Sequence, residues 1–193
     1  MISLLDSRPI AVAIAGPNGA GKSTFYRAFL AESGLQFVNA DQMALQLKID
    51  PYRAAELADE VRRTLITRRE SFIFETVFSD PVGSKLVFLR DAANSGYVVA
   101  LFFIGLDSPE TSSERVAMRV SKGGHDVPKD KINTRFTRTM ENLRKALITL
   151  PNVYVYDNSD LHAPFRLVAA LKESHLKTYP PVPKWLSPLL PSR

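Results

Sequence analysis

The 193-residue chain contains no cysteine. That excludes disulfides, thiolate metal sites and cysteine nucleophiles, and it fits a reducing, cytoplasmic setting. Long hydrophobic runs are missing too. The longest, residues 97–106, is too short to cross a bilayer and suits a buried strand. Met1-Ile2-Ser3-Leu4-Leu5-Asp6 has no basic stretch followed by an apolar one, so neither a signal peptide nor a membrane partner is expected. Histidine is scarce, with three in all. His125 has no helical histidine partner, so a hydrogen bond within its loop is expected before a metal; His162 and His175 suggest only surface placement. Charge of one sign does not run in blocks. The net charge is +5, and the positive residues are scattered and not interleaved with aromatics. A site for polyanionic nucleotides explains that surplus without nucleic acid as a partner. A hydrophobic content of 45% argues against disorder, and the length allows one domain with at most a small appendage.

What is present is a phosphate-binding loop. Gly16-Pro17-Asn18-Gly19-Ala20-Gly21-Lys22-Ser23-Thr24 follows the pattern G-x-x-x-x-G-K-S. Its glycines let several backbone N–H groups turn inward toward phosphates, with the positive end of the following helix behind them. In such a loop Lys22 reaches the β- and γ-phosphates and the Ser23 hydroxyl holds Mg²⁺. An apolar strand, residues 10–15, runs into the loop, and residues 24–30 read as the helix leaving it.

The rest alternates strands with helices. Strands are expected at 36–39, 72–75, 97–104 and 152–156. Helices are expected from Asp50-Pro51, Asp80-Pro81 and Ser108-Pro109, from the long stripe Ile132, Phe136, Met140, Leu143 and Leu147, and over Leu161, Phe165, Val168 and Leu171. The expected fold is therefore α/β, a three-layer P-loop kinase fold with a five-stranded parallel sheet and a helical lid. Residues 1–178 form the kinase domain, with the lid at about 115–138. Residues 179–193 form a proline-rich tail, docked on its own domain through Trp185 or offered to a partner.

Ligands in such sheets collect at the carboxyl ends of strands. Asp41 stands there as a helix N-cap or as the base that accepts a proton from an attacking hydroxyl. Glu75 and Thr76 end another strand, either meeting solvent or lining an acceptor pocket. Arg115 and Arg119 share one helix face, and Lys131, Arg135, Arg138 and Asn142 form a polar stripe on the next. They are lid groups neutralising a phosphoryl in flight, or a solvated face.

Three P-loop classes compete. A transporter-type ATPase needs an LSGGQ signature before a strand ending Asp-Glu; here Ser121-Lys122-Gly123-Gly124-His125 follows the strand, and Ser108 stands where the glutamate belongs. A GTPase needs Asn-Lys-x-Asp, and Asp157-Asn158-Ser159-Asp160 is not that. A small-molecule kinase needs a P-loop, an acceptor base and lid arginines, and all have candidates.

These residues resemble the zeta-toxin family of P-loop kinases, in its compact bacterial branch often labelled as ABC-type ATPases. The resemblance rests on the P-loop, Phe37-Val38-Asn39-Ala40-Asp41, Phe74-Glu75-Thr76, Arg115 with Arg119, and Gly123-Gly124-His125-Asp126-Val127-Pro128 with Arg135 and Arg138. It implies ATP and Mg²⁺ as cofactors, bound by Gly16, Asn18, Gly19, Ala20, Gly21, Lys22, Ser23 and Thr24. It makes Asp41 the base, Glu75 and Thr76 the acceptor pocket, and Arg119 and Arg135 the phosphate clamps, with Arg115 and Arg138 as substitutes. The implied acceptor is a nucleotide sugar such as UDP-N-acetylglucosamine, and the implied partner an antitoxin. A nucleoside, a small metabolite or a nucleic-acid 5′-hydroxyl is the alternative acceptor. A nucleotide-dependent switch that hydrolyses ATP slowly and presents its tail is the reading from a different class.

Overall fold

The computed structural model describes residues 2–121, 123, 127–173 and 175–191. After a short helix α1 (Ile2–Leu5), strand β1 (Ile10–Ala15) leads into the P-loop, helix α2 (Lys22–Phe25) and a π-helical continuation (Tyr26–Leu30). Then come β2 (Gln36–Val38), α3 (Ala40–Leu47), α4 (Pro51–Thr67), β3 (Phe72–Thr76), α5 (Ser84–Asn94) and β4 (Val98–Gly105). Helices α6 (Pro109–Val120) and α7 (Lys129–Thr149) follow, then β5 (Asn152–Asp157), β6 (Arg166–Lys172) and β7 (His175–Thr178).

One seven-stranded sheet has the order β2-β3-β1-β4-β5-β6-β7. The first five strands pair in parallel, as the alternating pattern requires. β4 lies in the middle because every one of its residues after Val98 is buried, and only an inner parallel strand is covered on both faces. The last two strands are antiparallel additions. One of them corrects an expectation: Leu161, Phe165, Val168 and Leu171 do not form a helix. The buried run from Val168 to Leu171 pairs with β5. A short apolar run satisfies a helical and an extended pattern equally, and the neighbouring strand decides.

Of the two Asp-Pro starts, one holds and one shifts. Asp50 caps α4 by accepting from the Tyr52 and Arg53 amides. Asp80 instead closes a turn onto the Ser84 amide, and α5 begins only after Gly83. Helix α3 begins one residue before Asp41, whose N-cap alternative put the start just after it. Its N-cap is Asn39, with Gln42 three residues on, a local capping pattern.

Helices α4, α5 and α7 cover one sheet face, where Phe72, Phe74, Leu89, Phe103 and Leu143 are buried together. The P-loop helix covers the other, with Phe25 and Leu30 against Phe102, Tyr154 and Tyr156. Val116, Val127 and Ile132 form a separate small cluster joining α6 to the start of α7. The tail lies on the first core: Leu186 is buried, and Trp185 Nε1 donates to Asp157 Oδ1 at 3.1 Å. A Cβ on Gly105 would meet the Trp185 ring at 2.2 Å, so a glycine at the end of β4 makes the seat. The second half of the tail is not extended: residues 184–186 turn, with the Leu186 amide donating to the Pro183 carbonyl at 3.0 Å, and a 3-10 turn (Ser187–Leu189) follows. No helix among the described residues is long and apolar enough to cross a membrane.

Candidate active site

The sheet register brings the ends of β1 and β3 level: Ala15 pairs with Thr76 on one side and, on the other, with Phe103, two residues before β4 ends. The P-loop leaves β1 at this edge. At Gly16 the backbone has φ +148° and passes the Ile104 carbonyl so closely that a Cβ would lie 2.1 Å from its oxygen. Only glycine fits. Two buried side chains tie the loop from outside. Ser112 Oγ donates to the Asn18 carbonyl at 2.6 Å, and Asn158 Nδ2 donates to the Ala20 carbonyl at 2.8 Å. With these carbonyls held outward, the intervening amides are free to face a phosphate.

Lys22 is buried, and its Nζ donates to the Pro17 carbonyl at 3.1 Å. Burial pushes its pKa below the usual lysine value; Glu75 and Asp41 oppose that shift, and Arg119 adds to it. Next to it Ser23 Oγ donates to Glu75 Oε2 at 2.8 Å, and Asn39 Nδ2 donates to the same oxygen at 3.0 Å. Asn39 thus fixes both Glu75 and the start of α3. Asp41 is the second residue of that helix and is exposed; the N-cap is Asn39, so the capping alternative for Asp41 is set aside.

A cavity of about 510 Å³ opens over these groups. Its lining takes Asn18, Gly19 and Lys22 from the P-loop, Asp41 from α3, and Glu75 and Thr76 from the end of β3. Arg119 of α6 and Lys131 and Arg135 of α7 face it from the lid side. Gly16, Ala20, Gly21, Ser23 and Thr24 are not in the lining. Arg115 turns away, its Nη2 donating to the Ser159 carbonyl at 2.9 Å. Arg138 is not in the lining either. Asn142, read as part of the lid stripe, is a buried tie whose Nδ2 donates to the Phe78 and Asp80 carbonyls. Gly124, His125 and Asp126 lie outside the described residues, so the expected His125 hydrogen bond is not addressed.

No group of three or more metal-binding side chains occurs among the described residues. Mg²⁺ does not need one: it takes hard oxygen ligands, keeps several waters, and uses one or two protein groups beside substrate phosphates. Ser23 Oγ and Glu75 Oε2, adjacent at the mouth of the P-loop, fit that demand.

Sequence reasoning passed over Asn39, Ser112 and Asn158 as supports, and Arg62 and Lys85 as lining residues. Asn39 had a signal in its spacing to Gln42. Arg62 had one as well, since it stands four residues after Ala58 and three before Leu65, inside the apolar stripe of α4. Ser112 and Lys85 had none, because their partners are remote in sequence.

The zeta toxin family profile matches residues 52–165, a stretch that begins after the P-loop. An uncharacterized protein of Haemophilus influenzae is 28% identical over 132 residues, covering 65% of this chain and 91% of that protein. Among solved structures, the AvrRxo1-ORF1:-ORF2 complex crystallised with ATP superposes with a TM-score of 0.69 at 17% identity, over 90% of this chain and 61% of that one. The chain thus spans less than two thirds of that relative's length. A structure from the PezAT chromosomal toxin-antitoxin system of Streptococcus pneumoniae gives a TM-score of 0.62 at 19% identity, over 78% of this chain and 69% of that one. With a family match over more than half its length and the strand order and P-loop described above, this chain belongs to the zeta toxin family and has the α/β fold of the P-loop kinases.

Proposed function

We propose that the chain is an ATP- and Mg²⁺-dependent phosphotransferase that phosphorylates a hydroxyl of a small molecule. One observation carries this reading: Lys22, Asp41, Glu75, Thr76, Arg119 and Arg135, from separate stretches of sequence, line one cavity. Phosphoryl transfer needs little covalent chemistry from a protein, only positioning and charge, and these groups supply both.

The P-loop amides and Lys22 hold the phosphates of ATP. Mg²⁺, when held by Ser23 with Glu75 beside it, offsets the negative charge of those phosphates. Asp41 orients the acceptor hydroxyl and takes its proton as the oxygen bonds to the γ-phosphorus; the bond from that phosphorus to the bridging oxygen breaks and ADP leaves. Arg119 and Arg135 stabilise the charge on the transferring group. Thr76 lines the acceptor side, its Oγ1 already accepting from the Phe78 amide at 3.0 Å. The leading acceptor is a nucleotide sugar such as UDP-N-acetylglucosamine. An antitoxin protein is the proposed partner, since the neighbours in fold include a chain from a toxin-antitoxin system. The switch reading loses its motivation, because the tail that would recruit a partner is spent on the chain's own core through Trp185 and Leu186.

The test is ATP consumption with Mg²⁺ across nucleotide sugars, nucleosides and oligonucleotides, comparing the natural chain with Asp41→Asn. Turnover that needs one acceptor and disappears in Asp41→Asn supports the reading. Hydrolysis that ignores every acceptor and survives the substitution overturns it.

A further inference from the structure

The α4–α5 end of the cavity carries charge that this phosphoryl transfer does not use. Arg62 of α4 is 4% exposed, with its guanidinium 4.8 Å from the centre of the Phe74 ring. Lys85 reaches across from α5, and its Nζ donates to Asp59 Oδ1 at 2.6 Å and Oδ2 at 2.8 Å. Asp59 is also paired with Arg62. Two cations therefore share one carboxylate, and among the described residues Asp59 is the only polar partner of either. Asp80 does not complete the balance by contact: one of its oxygens accepts from the Ser84 amide, and Oδ2 is buried without a partner. Arg63 adds a third positive charge beside the pair.

As a stabilising device this is poor. A buried guanidinium must recover its lost hydration from partners, and its one carboxylate has a side chain 41% exposed. As a binding device it is apt, because a guanidinium offers a planar fork to an oxyanion and an ammonium adds a point charge. Its position fits an acceptor. Side chains alternate along β3, so Phe74 and Thr76 share a face and Glu75 takes the opposite one. Glu75 meets Ser23 of the P-loop, whereas Phe74 carries Arg62. Arg62 and Lys85 line the same cavity as Asp41 and Thr76.

We propose that Arg62 and Lys85 form a subsite for an oxyanion of the acceptor, a phosphate or carboxylate group, so that the preferred hydroxyl substrate is acidic and not a neutral polyol. This rests on the reading of the cavity as an acceptor site. Asp59 holds the two cations, and it competes with the incoming anion.

That competition gives a test with two signs. The full chain is saturated with Mg²⁺ and a non-hydrolysable ATP analogue, so that the P-loop is filled, and inorganic phosphate or acetate is titrated in by calorimetry. One-to-one binding, weakened at least tenfold in Lys85→Gln, kept within about threefold in Lys85→Arg and tightened severalfold in Asp59→Asn, is the expected result. Phosphate alone binding assigns a phosphorylated acceptor, acetate alone a carboxylic acid. No binding of either anion, or equal affinity in all four proteins, overturns the subsite. Should Lys85→Gln fail to fold, Lys85→Arg and Asp59→Asn still decide it. Analogue affinity is read first: its absence in the natural chain refutes the P-loop reading alone, and the same variants titrated without nucleotide then judge the subsite.

Discussion

The two ends of the cavity are built in opposite ways. At the P-loop end the working groups are adjacent in sequence, and on the proposed reading backbone amides do most of the binding. At the α4–α5 end Asp59 and Arg62, one turn apart on α4, meet Lys85 of α5, and charged side chains do the work. A loop that binds through amides needs glycines, a strand before it and a helix after it, and all three are local. A site that binds through long side chains needs only that two helices meet, and nothing in a single stretch records that meeting.

The largest expected effect separates chemistry from binding at the junction of the two ends. Asp41→Asn should lower kcat by about 10²–10⁴-fold, the usual worth of a positioned general base. Affinity for the ATP analogue should stay as it was. Steady-state turnover with a binding titration checks this, and a loss below tenfold would remove Asp41 from the base role.

The comparison itself is broken or kept by a crossed pair of variants. Lys22→Ala should weaken the analogue by about 10–100-fold, since it deletes a charge-assisted contact, and leave unchanged the binding of whichever anion, phosphate or acetate, the α4–α5 subsite takes. Lys85→Gln should do the reverse. If both substitutions weaken both ligands alike, the cavity has one undivided site.

A smaller effect probes how the P-loop end depends on distant support. Asn158 Nδ2 holds the Ala20 carbonyl, and Asn158 follows Asp157, which accepts from Trp185 and pairs with Arg166. Asn158→Ala leaves a buried carbonyl without its donor and should cost about 1–3 kcal/mol in chemical denaturation. Unchanged stability and analogue affinity would show that the clamp is idle.

The smallest effect is one of protons. The pKa of Lys22 in the folded chain lies below 10.5, chiefly through burial. Between that depressed value and 10.5 the unfolded chain binds the proton and the folded chain does not. This residue therefore makes stability rise with pH through that window. Phosphates beside Lys22 favour its charged form, so analogue binding within that window should take up protons. Calorimetry in two buffers of different ionisation enthalpy measures the uptake, which should vanish in Lys22→Ala.

Particular elements show where the sequence spoke. Val98 to Gly105 is so apolar that its central place followed, and Ser108 and Asp50 marked their helices because caps act on the nearest amides. The residues from 161 to 171 misled, since their apolar spacing suited a helix and the edge of β5 was what recruited them. Asn142 looked like one of a row of lid residues. Its burial and its bonds to the 78–80 segment appear only once α7 packs over the sheet.

Sequence alone determined the P-loop and the five parallel strands, because phosphate cradles, caps and apolar periodicity act over a few residues, and its motifs carried the resemblance to the family. Tertiary structure alone decided that Arg115 turns to Ser159, that β6 and β7 extend the sheet, and that Arg62 and Lys85 share Asp59. The direction of a long side chain and the neighbour of a short strand are set by what packs against them.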